Sequence, residues 1–272
     1  MRLIEPTVAS LPRIALADWR LPFSGAQALA FTAWCGLGEI QLDFGGPGRT
    51  PPLDNPQTLR AIREASLRHE VRVRALACNR MNDLGLHHAP HSTAGASVRS
   101  LVLKSLDAAV YLEAGMVFFP SFRKSQIRDR QTLEGTARLL QWACEQGAQR
   151  GLLIASENDL DALAAQQLVT LVDQPGLRLI LDTWNPLKAG VQPVTLIEQL
   201  QPVLAAQVHI KDGRLGLEAS VPLGLGDGSV AETIEVLRRL HTVETYVLEN
   251  DYRCGDPAHL QHDLGWMLNA LR

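Results

Sequence analysis

The sequence has few of the features that mark a secreted or membrane-spanning protein. Its four cysteines lie far apart and form no CxxC pair. Neither a disulfide framework nor a zinc knuckle is therefore predicted, and a reducing cytoplasm is the expected location. No stretch approaches the roughly 18 uninterrupted apolar residues of a membrane span. Glu5, Pro6 and Pro12 interrupt the N-terminal segment where a signal peptide needs its apolar stretch, so we expect no secretion signal.

The chain also lacks a long run of charge of one sign. Its 26 Lys and Arg against 29 Asp and Glu give a net charge of −3. Because nucleic acids and anionic membranes need a basic surface, neither is an expected partner. The 46% hydrophobic and 20% charged residues are typical of a globular protein. We therefore expect a small-molecule ligand, and leave open whether the chain forms a homo-oligomer.

Short apolar runs alternate with amphipathic, helix-like segments from one end of the chain to the other. The runs that predict strands are 13–17, 39–43, 71–77, 116–119, 152–156, 177–181, 207–210 and 245–248. The start signals of the intervening helices include Ser24, Asn55-Pro56 and Asp256-Pro257. Eight strand–helix units without a linker predict one domain, residues 1–272, with the α/β fold of a (β/α)8 TIM barrel.

Two loops and one alternative fold bear on this prediction. A doubly wound open sheet would normally carry a spaced glycine pattern after its first strand, which is missing here. Gly45, Gly46 and Gly48 lack the spacing of a dinucleotide site, so we predict a plain turn, with phosphate binding as the less favoured alternative. The loop 79–92 contains three histidines, for which exposure to solvent is favoured over metal binding. It either covers the barrel mouth or contacts another subunit.

Four chemically reactive residues follow or end four consecutive predicted strands. They are Glu157, Asp182, His209 and Glu249. In a barrel, the carboxyl ends of the strands meet at one mouth, so residues distant in sequence become neighbours. Each acid by itself is more simply explained as a helix cap or as a partner of an arginine. Four at equivalent strand ends favour one shared cation instead, because an unpaired charge at the rim of a core is costly.

Three carboxylates and one imidazole form an oxygen-rich ligand set. Such a set suits Mn²⁺, Mg²⁺ or Co²⁺ and accepts Zn²⁺, whereas a structural zinc site would recruit thiolates. The cofactor we predict is therefore one divalent metal ion. Lys211, next to His209 in sequence, either stabilises a developing oxyanion or forms a salt bridge to Asp212 or another acid at the rim.

The same segments resemble a known superfamily. Glu157-Asn158, Asp182-Thr183-Trp184-Asn185, His209-Ile210-Lys211-Asp212 and Leu248-Glu249-Asn250 are similar to those of the sugar isomerase/epimerase superfamily with the xylose isomerase-like TIM barrel. The loop Pro222-Leu223-Gly224-Leu225-Gly226-Asp227 resembles the segment after that family's seventh strand. The resemblance covers most of the chain, is strong from residue 151 to 250 and is weak before residue 70.

The resemblance implies a metal-dependent sugar isomerase or epimerase. Glu157, Asp182, His209 and Glu249 would hold the ion, and the two glutamates would also act as acid and base on opposite faces of the substrate. The ion would stabilise the enediolate formed when one glutamate removes a proton. Trp184 is expected either to form an apolar wall beside the sugar or, as the simpler reading, to pack in the rim. Manganese is the expected metal and carbohydrate metabolism the expected setting.

Two positions depart from the family pattern. Asn185 replaces the histidine that many relatives carry three residues after the strand-six aspartate, which weakens the case for the ketose 3-epimerase branch. Arg214 matches only loosely the arginine that those epimerases carry a few residues past the strand-seven histidine. The residues expected to bind substrate are Asn185, Trp184 and Arg214. The superfamily also contains endonucleases with three zinc ions and many histidines, and Asn185 together with the acidic net charge argues against that activity.

Three functions stay open at this point. The first is an isomerase or epimerase of a small sugar, keto-acid or polyol. A dehydratase on the same scaffold would form the same enediolate but then eliminate a β-hydroxyl group. The third is a barrel that binds a sugar without turnover, which would be favoured if Glu157 and Glu249 pointed away from each other.

Overall fold

The structure, a computed structural model, describes residues 13–272 and shows a (β/α)8 barrel. Eight parallel strands form one sheet in the order β6-β5-β4-β3-β2-β1-β8-β7. The strands are β1 (Arg13–Ala17), β2 (Glu39–Asp43), β3 (Arg72–Ala77), β4 (Met116–Pro120), β5 (Leu153–Glu157), β6 (Leu177–Ile180), β7 (Gln207–Ile210) and β8 (Thr245–Leu248). The predicted fold class is thereby confirmed. Residues 1–12, on which the expected absence of a secretion signal rests, lie outside the described residues.

The barrel closes between β6 and β7 through isolated bridges, whereas the other neighbouring strands form continuous pairs. Asp182 and His209 form an isolated parallel bridge there. The His209 amide donates to the Leu181 carbonyl at 2.9 Å, and the Thr183 amide donates to the His209 carbonyl at 3.1 Å. Two of the four predicted metal ligands are therefore set in register by backbone hydrogen bonds at the seam itself.

Ten helices are found among the described residues, most of them packed around the outside of the barrel. They are α1 (Ala26–Trp34), α2 (Pro56–His69), α3 (Met81–Leu84), α4 (Thr93–Tyr111), α5 (Arg130–Ala148), α6 (Ala162–Val172), α7 (Asn185–Lys188), α8 (Pro193–Leu200), α9 (Val230–Leu240) and α10 (Pro257–Ala270). The predicted starts of α2 and α10 are confirmed, with Asn55 and Asp256 accepting hydrogen bonds from backbone amides of the first turn. The predicted Ser24 cap is wrong: Gly25 precedes α1 and no side chain caps that helix.

Four short turns at the carboxyl ends of the strands were not predicted. They are the 3₁₀ turn Asp18–Arg20 after β1, the helix α3 after β3, the 3₁₀ turn Arg123–Ser125 after β4 and the helix α7 after β6. Each is a single turn, which is too short to show a helical periodicity in sequence. The first of them places Trp19 and Arg20 against Glu249, and α7 contains Asn185, which contacts Glu157.

The apolar core lies mainly between the strands and the surrounding helices. A smaller cluster fills the inside of the barrel and is formed by Ala75, Ala77, Met116, Phe118, Ala155, Ile180 and Ala205. At the opposite end from the mouth, the buried Glu39 accepts hydrogen bonds from Arg13 and Thr245, both at 2.7 Å. Within residues 13–272, no helix has both the length and the apolar character needed to cross a membrane.

Candidate metal centre and active site

The barrel brings together the four side chains at the ends of β5 to β8. Glu157 is the last residue of β5, Asp182 follows β6 by two residues, His209 lies within β7 and Glu249 directly follows β8. One ligand atom from each lies within 4.8 Å of the corresponding atoms of the other three. All four side chains are buried. The arrangement has the number and kinds of ligand atoms that one metal ion requires.

Two buried atoms in this group point into the shared space without a hydrogen-bond partner. They are Oδ2 of Asp182 and Nδ1 of His209. Nδ1 lies 3.4 Å from a carboxylate oxygen of both Glu157 and Glu249, too far for a good hydrogen bond. Because buried polar atoms are nearly always paired, the unpaired Nδ1 of His209 fits a divalent cation held among the three carboxylates, whereas Oδ2 of Asp182 has the ammonium group of Lys211 beside it at 2.8 Å.

The local backbone explains how Asp182 is aimed. Its Oδ1 accepts hydrogen bonds from the amides of Trp184 at 2.7 Å and Asn185 at 2.5 Å, at the start of α7. With one oxygen held by the turn, the other oxygen is directed toward the site. The unpredicted turn α7 therefore orients one of the predicted ligands.

Lys211 lies inside the same group. Its Nζ donates a hydrogen bond to Oε2 of Glu249 at 2.8 Å and forms an ion pair with Oδ2 of Asp182 at 2.8 Å. The ammonium group is thus shared by two of the candidate ligands. Of the salt-bridge partners that the sequence offered for Lys211, Asp212 is not observed, and two other acids at the rim, Asp182 and Glu249, take that place.

Asp212 instead organises the loop that follows β7. Its carboxylate accepts hydrogen bonds from the amides of Gly224, Gly226 and Gly228 at 2.9, 3.1 and 3.0 Å. A Cβ added to Gly226 would lie 2.2 Å from Oδ1 of Asp212, so only glycine allows this approach. The glycine-rich loop therefore wraps around a carboxylate of its own chain.

The two glutamates have different surroundings. Oε1 of Glu249 accepts hydrogen bonds from Nε1 of Trp19 at 2.9 Å and from Nε of Arg20 at 3.3 Å, in addition to the Lys211 contact at Oε2. Glu157 accepts one hydrogen bond, from Nδ2 of Asn185 at 3.2 Å. Glu249 is therefore held firmly as a carboxylate, whereas Glu157 is more lightly restrained.

Burial and charge change the proton affinities of these groups in the metal-free protein. Burial lowers the pKa of His209, but the carboxylates of Glu157 and Glu249 outweigh it and raise the pKa to about 10. Burial raises the pKa of Asp182 to about 6, with Lys211 opposing the shift. Burial also acts to raise the pKa of Glu249, yet Lys211, Arg20 and His209 hold it well below its ordinary value.

The three residues proposed to bind substrate occupy different places around this group. Asn185 contacts Glu157 and is half-buried at the start of α7. Trp184 is 7% exposed and packs so closely on Gly213 that a Cβ there would meet its ring at 2.4 Å. Arg214 lies on the exposed loop after β7, where its Nη2 donates to the Leu225 carbonyl at 3.5 Å.

Sequence reasoning missed three residues that contact the site. Trp19 and Arg20 follow β1 directly, so their position at a strand end was a usable signal. Trp19 also lies edge-on to His209, with the ring centroids 6.0 Å apart. Gln41 was visible as a polar residue inside the apolar strand β2. Its Oε1 lies 2.9 Å from Nε2 of His209.

Comparisons with known proteins show which family the chain belongs to. Residues 29–270 match the family described as xylose isomerase-like TIM barrel. A 2-epi-5-epi-valiolone 7-phosphate 2-epimerase from Actinoplanes sp. is 41% identical over 259 residues, which cover 95% of this chain and 94% of that protein. The chain belongs to the xylose isomerase-like TIM barrel family, and the predictions of that family and of an enzyme are confirmed.

Solved structures show the same fold at low sequence identity. A xylose isomerase domain protein from Planctomyces limnophilus superposes with a TM-score of 0.78 at 14% identity, over 96% of both chains. The IOLI protein, solved with a bound zinc atom, has a TM-score of 0.78 at 13% identity, over 95% of this chain and 98% of its own. At these identities the similarity establishes the fold alone.

Proposed function

We propose that this protein is a divalent-metal-dependent epimerase that inverts a carbon next to the ketone of a small polyhydroxylated substrate. The 41% identity over nearly the whole chain to a 2-epi-5-epi-valiolone 7-phosphate 2-epimerase supports the reaction class. That relative's substrate is therefore the first compound to test. The observation that carries the proposal is the buried Glu-Asp-His-Glu group, whose ligand atoms lie within 4.8 Å of one another.

Glu157, Asp182, His209 and Glu249 are the proposed metal ligands. Three carboxylates and an imidazole suit Mn²⁺, Mg²⁺ or Co²⁺ and also accept Zn²⁺. A divalent ion bound by them would polarise the substrate carbonyl and stabilise the negative charge that develops on its oxygen. The buried Nδ1 of His209, which has no hydrogen-bond partner, supports this assignment.

Glu157 is the proposed base. Its carboxylate accepts one hydrogen bond, from Asn185, and so keeps lone pairs free for a substrate proton. It removes the proton from the carbon next to the carbonyl. The electron pair of that C–H bond becomes the carbon–carbon double bond of an enediolate, and the charge moves onto the carbonyl oxygen.

Glu249 and Lys211 are proposed to return the proton to the other face of the same carbon. Nζ of Lys211 donates to Oε2 of Glu249 at 2.8 Å, so the pair holds a transferable proton beside the site. The C–H bond re-forms with inverted configuration and nothing is oxidised or reduced overall. Water then takes the proton from Glu157 and returns one to the Glu249–Lys211 pair, so the starting protonation is restored. The ammonium group also favours negative charge on a nearby substrate oxygen.

The proposed substrate contacts are Asn185, Trp184 and Arg214. Asn185 lies next to the base, and the exposed Arg214 on the loop after β7 has donors available for an anionic group of the substrate. Trp184 exposes only a small edge. Trp19, half-buried between His209 and Phe118, offers a larger aromatic surface for the carbon skeleton of the substrate.

Deuterium exchange tests the proposal directly. The protein loaded with Mn²⁺ is incubated in deuterated water with 2-epi-5-epi-valiolone 7-phosphate and with a panel of ketoses, and NMR follows both exchange and epimer formation. We expect exchange at the carbon beside the carbonyl together with the epimer. Glu157→Gln should lower the exchange rate by at least about 100-fold, because the base is lost.

The matched control is Glu64→Gln, on the exposed surface of α2, which should exchange at the wild-type rate. Loss of a hydroxyl group from the substrate would assign the dehydratase reaction instead. Binding without exchange would indicate a non-catalytic sugar-binding barrel. Full activity of Glu157→Gln would remove this residue from the mechanism.

A further inference from the structure

We infer that Gln41 and Gln207 form a relay inside the barrel that fixes His209 as an Nδ1 metal ligand. Both act as positioning residues, since neither supplies an atom to the candidate ion site and Gln41 acts through His209. The inference rests on the proposed metal site and adds the device that selects the coordinating nitrogen of its histidine.

The relay is a chain of three hydrogen bonds that runs down from the site. Nε2 of His209 lies 2.9 Å from Oε1 of Gln41. Nε2 of Gln41 donates to Oε1 of Gln207 at 2.9 Å, and Nε2 of Gln207 donates to the Arg74 carbonyl at 3.4 Å. His209, Gln41 and Gln207 are all buried, so no solvent competes for these groups.

The carbonyl at the end of the chain fixes its direction. A backbone carbonyl can only accept, so Gln207 must present its NH₂ group to Arg74 and its oxygen to Gln41. Gln41 must then use its NH₂ group toward Gln207 and its oxygen toward His209. An amide oxygen can only accept, and Nε2 of His209 therefore carries the proton. In the neutral imidazole, this leaves the lone pair on Nδ1.

Nδ1 is the atom that faces the candidate ligands. It lies 3.4 Å from both Glu157 Oε1 and Glu249 Oε2 and has no hydrogen-bond partner. The nitrogen selected by the relay and the nitrogen aimed at the ion site are therefore the same atom. Histidine ligands commonly depend on such a partner at the other ring nitrogen for their tautomer and their orientation.

An irregularity in the sheet accompanies the relay. β2 and β3 pair Ile40 with Val73 and then Gln41 with Ala75, so Arg74 is an extra residue of β3 at that point. A bulge changes the direction of the groups beside it. The carbonyl that ends the relay is that of Arg74, the extra residue. Gln41, the first amide of the relay, directly follows the register shift.

The test measures the binding of Mn²⁺ to the metal-free protein by calorimetry. Gln41→Leu removes the acceptor, and we expect its Mn²⁺ affinity to fall about 10- to 100-fold. Gln41→Glu keeps an acceptor for Nε2–H, and its affinity should stay within about threefold of wild type. Gln207→Leu keeps the contact between Gln41 and His209 but leaves the Gln41 amide free to rotate. Its Mn²⁺ affinity should therefore lie between those of the two Gln41 variants.

Thr245→Val is the control for loss of a buried hydrogen bond. The Thr245 hydroxyl donates to Oε2 of Glu39 at 2.7 Å, outside the relay, so its replacement should leave Mn²⁺ affinity unchanged. NMR of ¹⁵N-histidine in the zinc-loaded wild type adds a readout that stability does not affect. We expect His209 to carry its proton on Nε2 and the zinc on Nδ1.

The inference is overturned if folded Gln41→Leu and Gln207→Leu bind Mn²⁺ as tightly as wild type, or if zinc occupies Nε2. Should Gln41→Leu not fold, Gln207→Leu and the NMR spectrum decide in the same way. A wild-type protein that binds neither ion would instead refute the proposed metal site. Failure of the relay and failure of the proposed function therefore give different results.

Discussion

At the scale of single residues, the site depends on how many donors surround each carboxylate. Glu249 accepts hydrogen bonds from Trp19, Arg20 and Lys211. Glu157 accepts one, from Asn185. Two glutamates of the same chemistry are thus given unequal freedom by their neighbours. This inequality favours Glu157 as the group that moves the substrate proton. Because Lys211 contacts Glu249 and is not a candidate metal ligand, its replacement should separate Mn²⁺ binding from turnover.

Replacing Lys211 with methionine should lower turnover without weakening metal binding. The ammonium group helps to stabilise charge on the substrate oxygen, so we expect the deuterium exchange rate to fall about 100-fold. Asp182 and Glu249 lose a competing cation, so Mn²⁺ affinity should be equal to or greater than that of wild type. Calorimetry and exchange rates measured on the same preparation check the two effects.

Lys188→Met is the matched control, because Lys188 is a half-exposed lysine that lies 3.9 Å from Glu218 at the surface. Both its exchange rate and its Mn²⁺ affinity should equal those of wild type. An unchanged exchange rate in Lys211→Met would limit that lysine to a role in folding.

At the scale of elements, the 3₁₀ turn Asp18–Arg20 holds part of the site in place. Oδ1 of Asp18 accepts a hydrogen bond from the Asp43 amide at 2.7 Å, and Oδ2 accepts one from the Gly25 amide at 3.4 Å. The buried side chain thereby ties the turn to β2 and to the start of α1. The same turn presents Trp19 and Arg20 to Glu249.

Asp18 should also make stability depend on pH. Burial, followed by the nearby Asp43 carboxylate, raises its pKa from 3.8 to about 8. Since the folded-state pKa is the higher one, the stabilising contribution of the protonated acid is complete below pH 4 and is lost as pH rises through 8. Asp18→Asn stays neutral and keeps an acceptor for the Asp43 amide. Between pH 5 and pH 8, wild type should lose stability relative to the variant by on the order of 1 kcal/mol per pH unit.

Urea unfolding at several pH values measures this difference. The control is Glu134→Gln, because a hydrogen bond from Arg130 lowers the pKa of Glu134 and keeps that carboxylate ionised throughout this range. Its pH profile should be parallel to that of wild type. Parallel profiles for wild type and Asp18→Asn would show that Asp18 does not carry the raised pKa.

The short turns also show what the sequence could not reveal. Trp19 and Glu249 are 230 residues apart, and Gln41 and His209 are 168 apart. Such pairings arise only when the barrel closes, and no local pattern encodes them. Lys211 illustrates the same limit. Its neighbour in sequence, Asp212, is not its partner, because that carboxylate accepts hydrogen bonds from the amides of a glycine-rich loop.

At the scale of the whole molecule, the regular parts were predictable because each has a local cause. Apolar runs of four to seven residues predicted the strands, and side-chain caps such as Asn55 and Asp256 predicted the starts of two helices. The order of strands around a barrel then places consecutive strand ends side by side. Glu157, Asp182, His209 and Glu249 are brought together for this reason, without any pattern that links them along the chain.

The central claim is that these four side chains bind one ion where β6 and β7 close the barrel. The most direct measurement is an anomalous difference map from crystals soaked with Mn²⁺. We predict a single strong peak at about 2.0–2.4 Å from Nδ1 of His209 and from a carboxylate oxygen of Glu157, Asp182 and Glu249. No peak at this position, or a peak bound by other residues, would contradict the account.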